Sequence, residues 1–244
     1  MALKLAIDIG NTRIKTGIFE GKYLHELKIF EGNQYAELLE YIISKRPVEA
    51  AILSSVREIP MEIMSELFER YPFTILDQHT SVPLINNYKT PESLGTDRLA
   101  GVIGAAAIFP DHDILVINAG TCITYDFITY DRQYSGGGIA PGIKMRFKSL
   151  YTLTDQLPLI QESPVDFLIG ASTEEAILSG VMNGVVAEVQ GMIEKFRQNF
   201  PSLKVILSGG DAGYFEKQLK SDIFVALNIV LSGLNEILDH HAEI

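Results

Sequence analysis

The apolar positions at the start of the chain recur with the period of β-strands. Leu3 to Ile9 is a short apolar run, and after the turn residues Gly10-Asn11-Thr12 the segment Ile14 to Phe19 alternates between apolar and polar residues. Leu24 to Phe30 repeats the pattern after a second turn. Short runs of this kind between turn residues are typical of strands. The amino terminus is therefore predicted to form a β-meander.

Helical spacing appears further along the chain. Tyr35 to Ile43 and Met61 to Arg70 carry apolar residues at helical intervals, whereas Ala50 to Val56 and Phe73 to Leu76 are short apolar runs. Asp97 to Ala107 again shows a helical pattern. Helices that alternate with strands after a meander predict an α/β fold.

A similar series begins near Asp113. Ile114 to Ile117 and Ile123 to Ile128 are predicted strands on either side of a turn, and Gly136-Gly137-Gly138 is interpreted as a loop. A long helix over Thr173 to Phe200 and a strand over Lys204 to Leu207 follow. These elements repeat the order seen in the first part of the chain.

The two turns suggest a duplicated unit. Strand, Asp8-Ile9-Gly10-Asn11-Thr12, strand in the first half is similar to strand, Asn118-Ala119-Gly120-Thr121, strand in the second. The period is far too long for a solenoid repeat. We therefore expect two halves, residues 1–112 and 113–244, with one turn of this kind in each.

Composition narrows the class of protein. Of 244 residues, 47% are hydrophobic and 21% charged, so a packed core is expected. The net charge of −11 argues against non-specific binding to nucleic acid or to an anionic membrane. Cys122 is the one cysteine, which excludes a disulfide within the chain. We find no signal peptide and no apolar stretch of about 20 residues, and so predict a cytoplasmic protein.

The first turn has residue types that suit a phosphate site. Gly10 and Thr12 can direct backbone amides and a hydroxyl at a phosphate, while Lys15 and Arg13 add positive charge. Asp8, at the end of a buried strand, could hold magnesium, mostly through waters. An ordinary hairpin in which Asp8 caps the turn is the alternative. The second turn favours the phosphate interpretation, because two such turns could hold the β- and γ-phosphates of ATP from opposite sides.

A second group of candidates stands at the start of the Asp97 helix. Asp97 could accept the proton of a substrate hydroxyl, and Arg98 could bind a substrate carboxylate with two hydrogen bonds. In the alternative interpretation Thr96 or Asp97 only caps the helix and Arg98 is solvated.

Two further segments follow in the second half. Ser172 to Glu175 has capping-box spacing, which predicts Ser172 as the cap and leaves Thr173 in the first turn. Ser208-Gly209-Gly210-Asp211 lies between a strand and a helix, where glycines would let a ribose or a planar ring approach the backbone. The chain has no G-x-x-x-x-G-K-[ST] motif, which excludes a P-loop protein.

Taken in this order, the segments resemble the type III pantothenate kinases across nearly the whole chain. Asp8 to Lys15 and Gly120-Thr121 resemble the two phosphate motifs of that family, and Ser208 to Asp211 resembles its adenosine motif. Tyr88 with Gly95 to Arg98 resembles its pantothenate-binding segment. Thr173 matches a threonine that reaches the site of the neighbouring subunit.

The resemblance implies an actin-like fold of two ribonuclease-H-like halves, each with a mixed five-stranded sheet and flanking helices. It also implies a homodimer that uses ATP and magnesium to phosphorylate pantothenate, the first step of coenzyme A synthesis. The pantothenate contacts that it implies are Tyr88, Gly95, Thr96, Arg98 and Thr173, with Asp97 as the catalytic residue. The ATP contacts that it implies are Asp8, Ile9, Gly10, Asn11, Thr12, Arg13, Ile14, Lys15, Thr121, Gly209 and Gly210.

Asn118 departs from the family pattern. The family usually has Asp at this position, where the carboxylate binds a monovalent cation, potassium or ammonium. Asn118 keeps a carbonyl oxygen but carries no charge. Two alternatives to a pantothenate kinase stay open, namely a kinase of the same superfamily that acts on a sugar or small acid, and a regulatory relative without catalysis.

Overall fold

The computed structural model describes residues 3–45 and 48–243. Met1 and Ile244, the outer ends of the two predicted halves, lie outside the described residues. The chain divides into two compact units. Unit 1 contains the chain up to Asp111, Ile128–Gly136 and the chain from Asn228 onward, while unit 2 contains His112–Phe127 and Gly137–Leu227. The sequence placed its boundary between residues 112 and 113, and the carboxy-terminal residues belong to unit 1 instead.

Unit 1 is built on a five-stranded mixed sheet of order β3-β2-β1-β4-β5. Strands β1, β2 and β3 form an antiparallel meander, whereas β4 and β5 continue the sheet in parallel. The strands are β1 (Leu3–Ile9), β2 (Arg13–Glu20), β3 (Tyr23–Glu31), β4 (Ala50–Ser55) and β5 (Phe73–Ile75). Every strand predicted in this region is confirmed, with ends that differ by one residue or less.

Helices cover both faces of this sheet. On one face, α1 (Tyr35–Ser44) and α2 (Met61–Arg70) bury their apolar stripes against Leu5, Ile7 and Ile9 of β1. On the other face lie α3 (Thr96–Ile108) and α7 (Ile229–Glu243), packed closely against each other.

Two glycines permit the close crossing of α3 and α7. A Cβ atom added to Gly233 would overlap with the carbonyl oxygen of Ala100, and one added to Gly104 would overlap with that of Ile229. The backbones therefore approach to a distance that only glycine allows. This crossing fixes the position of α3, whose first turn carries several of the predicted site residues.

Unit 2 repeats the strand order of unit 1. Five strands of its six-stranded sheet run in the order β11-β10-β7-β8-β9, which corresponds position by position to β5-β4-β1-β2-β3. As β4 pairs with β1 in parallel, so β10 pairs with β7. The strands are β7 (Ile114–Ala119), β8 (Cys122–Ile128), β9 (Gln133–Pro141), β10 (Lys204–Ser208) and β11 (Phe224–Val225). The predicted duplication is therefore present in the topology. Gly136-Gly137-Gly138, interpreted as a loop, lies instead within β9.

The helices of unit 2 are α4 (Ile143–Thr152), α5 (Thr173–Asn199) and α6 (Ala212–Gln218). Their apolar side chains pack with those of β7 and β10 into one core. The two-residue strand β6 (Ile85–Asn86) belongs to unit 1 and pairs with the part of β9 that unit 1 includes.

Helix α5 corrects one statement made from the sequence. Among the described residues it is the one helix long and apolar enough to cross a membrane, with a mean hydropathy of 1.4 over 18 residues. Its buried residues nevertheless belong to the core of unit 2, as expected for the central helix of a globular unit. These residues include Ile177, Val181, Val185, Val189 and Ile193.

Candidate active site

Side chains on three neighbouring strands of unit 1 form a polar row. In the sheet register Asp8 of β1 is opposite Lys15 of β2 on one side and Ser54 of β4 on the other. Because side chains alternate across a sheet, Asp8 points away from the core that holds Ile7 and Ile9. Lys4, on the same face as Asp8, forms an ion pair with Asp239 of α7. Asp8 therefore lies on the face covered by α3 and α7.

The carboxyl group of Asp8 has an unusual environment. Burial raises its pKa to about 7, and the nearby Asp97 carboxyl contributes to this rise, against the opposing effects of Lys15 and of a hydrogen bond from Ser54. Its Oδ1 atom is buried without a hydrogen-bond partner. A buried acceptor of this kind is costly unless it has a ligand. The group is thus suited to a hard cation such as Mg²⁺, which prefers carboxylate oxygen, water and phosphate ligands.

Lys15 supplies the positive charge of this row. Burial lowers the pKa of its ammonium group, Asp8 counteracts this effect, and the neighbouring Arg13 guanidinium lowers the pKa further. A half-buried ammonium next to a carboxylate is well placed to attract a phosphate group.

Asp97 occupies the first turn of α3. The helix is preceded by Gly95, so the interpretation of Thr96 or Asp97 as the cap is wrong; both are helical residues. The Oδ1 atom of Asp97 accepts a hydrogen bond of 2.9 Å from the backbone N–H of Arg98. A Cβ atom at Gly95 would come within 2.7 Å of that same Oδ1, so a larger residue there would require the Asp97 side chain to shift. The charge of the Asp97 carboxyl contributes to the raised pKa of Asp8.

Arg98 is buried rather than solvated, which overturns the alternative interpretation of this residue. Only 8% of its surface is exposed. Its guanidinium lies 5.6 Å from the ring centroid of Tyr88, within the range of a cation–π interaction. The Tyr88 ring in turn stacks on Tyr134 with 6.3 Å between centroids, and a Cβ atom at Gly136 would come within 2.8 Å of it. The structure therefore groups Tyr88 with Arg98, as the sequence predicted.

The first turn is held in place by its own backbone and by a cation. The backbone N–H of Gly10 donates to the carbonyl of Arg13 at 3.0 Å, and that of Gly32 donates to the carbonyl of Thr12 at 2.8 Å. The Arg57 guanidinium donates to the carbonyl of Gly32 at 2.5 Å and approaches the carbonyl of Asn11 at 3.5 Å. Sequence reasoning missed Arg57, because a separation of 46 residues from Asn11 gives no local signal.

Two residues of the predicted ATP contacts have side chains in the core. Ile9 and Ile14 are fully buried on the face covered by α1 and α2. They can contribute to a nucleotide site only through their backbone. Asn11, Thr12 and Arg13 are exposed at the tip of the turn.

Unit 2 gathers its own predicted residues around the second turn. The backbone N–H of Gly120 donates to the carbonyl of Cys122 at 3.0 Å, and that of Gly142 donates to the carbonyl of Thr121 at 3.1 Å. Gly209 has a positive φ of 96° and lies so close to Ala119 that a Cβ atom would overlap with its carbonyl. The Gly209-Gly210 turn thus packs directly against the Gly120-Thr121 turn.

Asn118 and Thr173 complete the predicted set in unit 2. Asn118, at the end of β7, is paired in the register with Ser208 of β10. Thr173 is the exposed first residue of α5, and the predicted Ser172 cap accepts a 3.2 Å hydrogen bond from the N–H of Glu175. The Glu175 carboxylate accepts from the N–H of Ala171 rather than from that of the cap residue. Within residues 3–45 and 48–243, no three His, Cys, Asp or Glu side chains are grouped as a metal site.

Comparison with known proteins identifies relatives of the whole chain. The family model for type III pantothenate kinase matches residues 4–195. A type III pantothenate kinase of Christiangramia forsetii is 42% identical over 238 residues, which cover 97% of this chain and 98% of the relative. One of Phocaeicola vulgatus is 44% identical over 242 residues, covering 98% and 99%.

Solved structures are similar in fold at much lower identity. A protein of Campylobacter jejuni described as a Baf family transcriptional activator has a TM-score of 0.62 at 19% identity, covering 98% of this chain and 100% of that one. A ROK family glucokinase of Streptomyces griseus, in complex with glucose and AMPPNP, has a TM-score of 0.51 at 11% identity, covering 98% of both chains. The predicted actin-like ATPase fold, with two mixed sheets and flanking helices, is confirmed.

Proposed function

Because this chain belongs to the type III pantothenate kinase family, we propose that it transfers the γ-phosphoryl group of ATP to the primary hydroxyl of pantothenate, using the Asp8–Asp97 pair. The product is 4′-phosphopantothenate, the first intermediate of coenzyme A biosynthesis. The observation that carries this proposal is the buried, unpartnered Oδ1 atom of Asp8, which lies opposite Lys15 in the sheet. Phosphoryl transfer to an alcohol uses one group that holds the metal and another that receives the hydroxyl proton.

Asp8 is the residue for magnesium in this proposal. Its unpartnered, buried Oδ1 supports the assignment. When bound with ATP, the metal ion would neutralise the negative charge that develops on the phosphates. The protein adds Lys15, whose half-buried ammonium group binds a phosphate oxygen.

Asp97 receives the proton of the pantothenate hydroxyl as that oxygen attacks phosphorus. Its position in the first turn of α3 is stable, because the α3–α7 crossing allows little movement of the helix. Arg98 binds the pantothenate carboxylate, with Tyr88 as its aromatic support. A guanidinium that already has an aromatic partner loses little conformational freedom on binding.

Each unit has a turn suited to nucleotide phosphate. The proposed phosphate contacts are Gly10, Asn11, Thr12 and Lys15 in unit 1 and Thr121 in unit 2. Gly209 and Gly210 leave space for the adenosine. A Cβ atom at Gly209 would overlap with the carbonyl of Ala119, so this turn can pack against the second turn only with a glycine there.

Asn118 is the position for a monovalent cation, potassium or ammonium. Its side chain offers one carbonyl oxygen and no negative charge. Binding of such a cation is therefore weaker here than a carboxylate at the same position would allow. Activity should depend little on potassium.

We also propose a homodimer in the cytoplasm, with Thr173 closing the pantothenate pocket of the partner subunit. A Cβ atom at Gly180, Gly184 or Gly191 of α5 would meet no atom within 4 Å, so one side of this helix is open. Leu168 and Ile169, close to Thr173 in sequence, are 79% and 87% exposed. Apolar surface of this kind next to a glycine-lined helix suits contact with a second copy.

An ADP-release assay with pantothenate, with and without potassium, tests the activity. In Asp97→Asn we expect turnover to fall by roughly 10²–10⁴-fold, the usual contribution of a general base. Asp155→Asn, a change at an exposed carboxylate, is the matched control and should leave turnover unchanged. Phosphorylation of a sugar but not of pantothenate in a substrate panel would favour the sugar-kinase alternative. Absence of any phosphoryl transfer would favour a regulatory role.

A further inference from the structure

Ser54 is a buried polar residue to which the proposed mechanism gives no role. It lies at the end of β4 with none of its surface exposed. Its hydroxyl lies 2.9 Å from the hydroxyl of Thr96. In the sheet register Ser54 is the direct neighbour of Asp8, and it lowers the pKa of the Asp8 carboxyl. One side chain thus contacts both the strand that carries Asp8 and the first turn of the helix that carries Asp97.

The single proton of each hydroxyl determines which group donates and which accepts in these contacts. A serine or threonine hydroxyl has one proton to donate, and an ionised carboxylate can only accept. A Ser54 hydroxyl that donates to an ionised Asp8 carboxylate must accept from Thr96. Thr96 has a second acceptor at 3.3 Å, the carbonyl of Ser55, which neighbours Ser54 on the same strand. Because Thr96 also has a single proton, it donates to one of these acceptors or shares the proton between them, and either contact ties the start of α3 to the end of β4.

We propose that Ser54 is a positioning residue for phosphoryl transfer, which holds Asp8 at a fixed separation from Asp97 through the hydroxyl of Thr96. This inference rests on the proposed function, since the two carboxyls matter as a pair only if one serves the metal and the other the acceptor alcohol. Ser54 has no exposed surface and cannot itself touch a substrate.

The expected size of the effect follows from the geometry. Groups that orient a metal ligand typically change metal affinity or activity by about 10–100-fold. An error of about 1 Å in the placement of reacting groups can have an effect of similar size. Loss of the Ser54 hydroxyl should therefore lower kcat by about 10–100-fold, whereas KM for pantothenate, set by Arg98 and Tyr88, should change by no more than about twofold.

Three variants and a control test the proposal. Ser54→Ala and Thr96→Val each remove one of the two hydroxyls that contact each other, and Thr96→Ser keeps the hydroxyl at residue 96. Thr16→Val is the control, because Thr16 is a fully buried threonine of the same sheet that hydrogen-bonds the carbonyl of Lys28 on a neighbouring strand. We expect Ser54→Ala and Thr96→Val each to lower kcat, and the double variant to have a kcat no lower than either single variant. Thr96→Ser, which keeps the hydroxyl, should have a higher kcat than Thr96→Val. The control Thr16→Val should change kcat by less than about threefold.

A measurement without turnover separates this inference from the proposed function. Mn²⁺ binding to the protein with a non-hydrolysable ATP analogue, followed by electron paramagnetic resonance, should weaken about tenfold or more in Ser54→Ala. If the wild-type protein bound Mn²⁺ normally but phosphorylated no pantothenate, the proposed function would fail while the effect of Ser54 on the metal could still be measured. Unchanged Mn²⁺ affinity and kcat in Ser54→Ala would overturn the inference. So would additive losses in the double variant. If Ser54→Ala does not fold, equal activity of Thr96→Val and Thr96→Ser overturns it.

Discussion

The ends of β1 and β7 occupy the same place in two sheets of the same strand order, and they carry different chemistry. In unit 1 the register pairs Asp8 with Ser54, and in unit 2 it pairs Asn118 with Ser208. The carboxylic acid of Asp8 in unit 1 thus corresponds to the amide of Asn118 in unit 2, and each lies next to a serine. The backbone of the duplicated unit has been kept, while a single oxygen-to-nitrogen difference decides which strand end can hold a cation by charge.

The turns that follow these strand ends also differ in how they are held. The first turn is braced by a side chain, the Arg57 guanidinium, and stays open at Asn11 to Arg13. The second is packed backbone against backbone through Gly142 and Gly209. The turn of unit 1 is therefore held by a charged side chain, and the turn of unit 2 is held by close backbone packing.

The largest effect should come from making the first strand end chemically like the second. Asp8→Asn removes the negative charge but keeps the size of the side chain. We expect kcat to fall by roughly 10²–10³-fold, since a metal ion contributes several kcal/mol of charge stabilisation and each increment of about 1.4 kcal/mol is tenfold in rate. ADP release at saturating pantothenate, with Mg²⁺ and with Mn²⁺, measures it. Turnover within about threefold of wild type with both metals would remove Asp8 from the metal site.

The features that could be predicted from the sequence are those that depend on interactions between residues close together in the chain. The two turns, the strands around them and the helix start at Asp97 follow from local patterns, and each is present. The equal strand order is not local, but the repeated turn and strand pattern was sufficient to predict a duplication. The fold could therefore be predicted from the sequence.

Other features depend on contacts between distant segments. Ser54 has the sequence of an ordinary strand residue, and only the parallel register with β1 places it beside Asp8. One interpretation left Arg98 solvated, because an arginine in the first turn of a helix has no local signal for burial; its contact with the Tyr88 ring depends on the tertiary fold. The strand β9 was missed because three consecutive glycines have low strand propensity, although a Cβ at Gly137 would overlap with the carbonyl of Tyr125. Tertiary packing, rather than local preference, decides these positions.

The reverse exchange should have a smaller effect. Asn118→Asp gives unit 2 the carboxylate that unit 1 already has. We expect potassium to stimulate this variant by about tenfold more than it stimulates the wild type, since a contact to a charged group contributes about 1.5–3 kcal/mol. The measurement is ADP release over a potassium series at constant ionic strength, with choline chloride as the balancing salt. Asn199→Asp, at the carboxy-terminal end of α5, controls for the added charge. Identical potassium curves for Asn118→Asp and wild type would mean that this strand end holds no cation.

The smallest effect concerns stability without ligands and comes from the pKa of Asp8. Burial first, and then Asp97, raise that pKa from 3.8 to about 7. Between these values the native protein binds more protons at Asp8 than the unfolded chain does, so this residue lowers stability as pH rises from about 4 to 7. The Asn118 amide cannot titrate, and neither can the amide that Asp8→Asn introduces.

In metal-free buffer with a chelator, the Tm of Asp8→Asn minus the Tm of wild type should therefore increase as the pH rises from about 5 to 8. We expect the difference to grow by several degrees Celsius, at about 2–4 °C per kcal/mol for a chain of this size. Thermal unfolding followed by circular dichroism at several pH values measures it, and Asp155→Asn should run parallel to wild type. Parallel curves for Asp8→Asn as well would mean that Asp8 ionises normally in the free protein. A gain that disappears when Mg²⁺ and ATP are added would show that the ligand stabilises the same ionised carboxylate that burial penalises, which is the property that separates this strand end from its counterpart in unit 2.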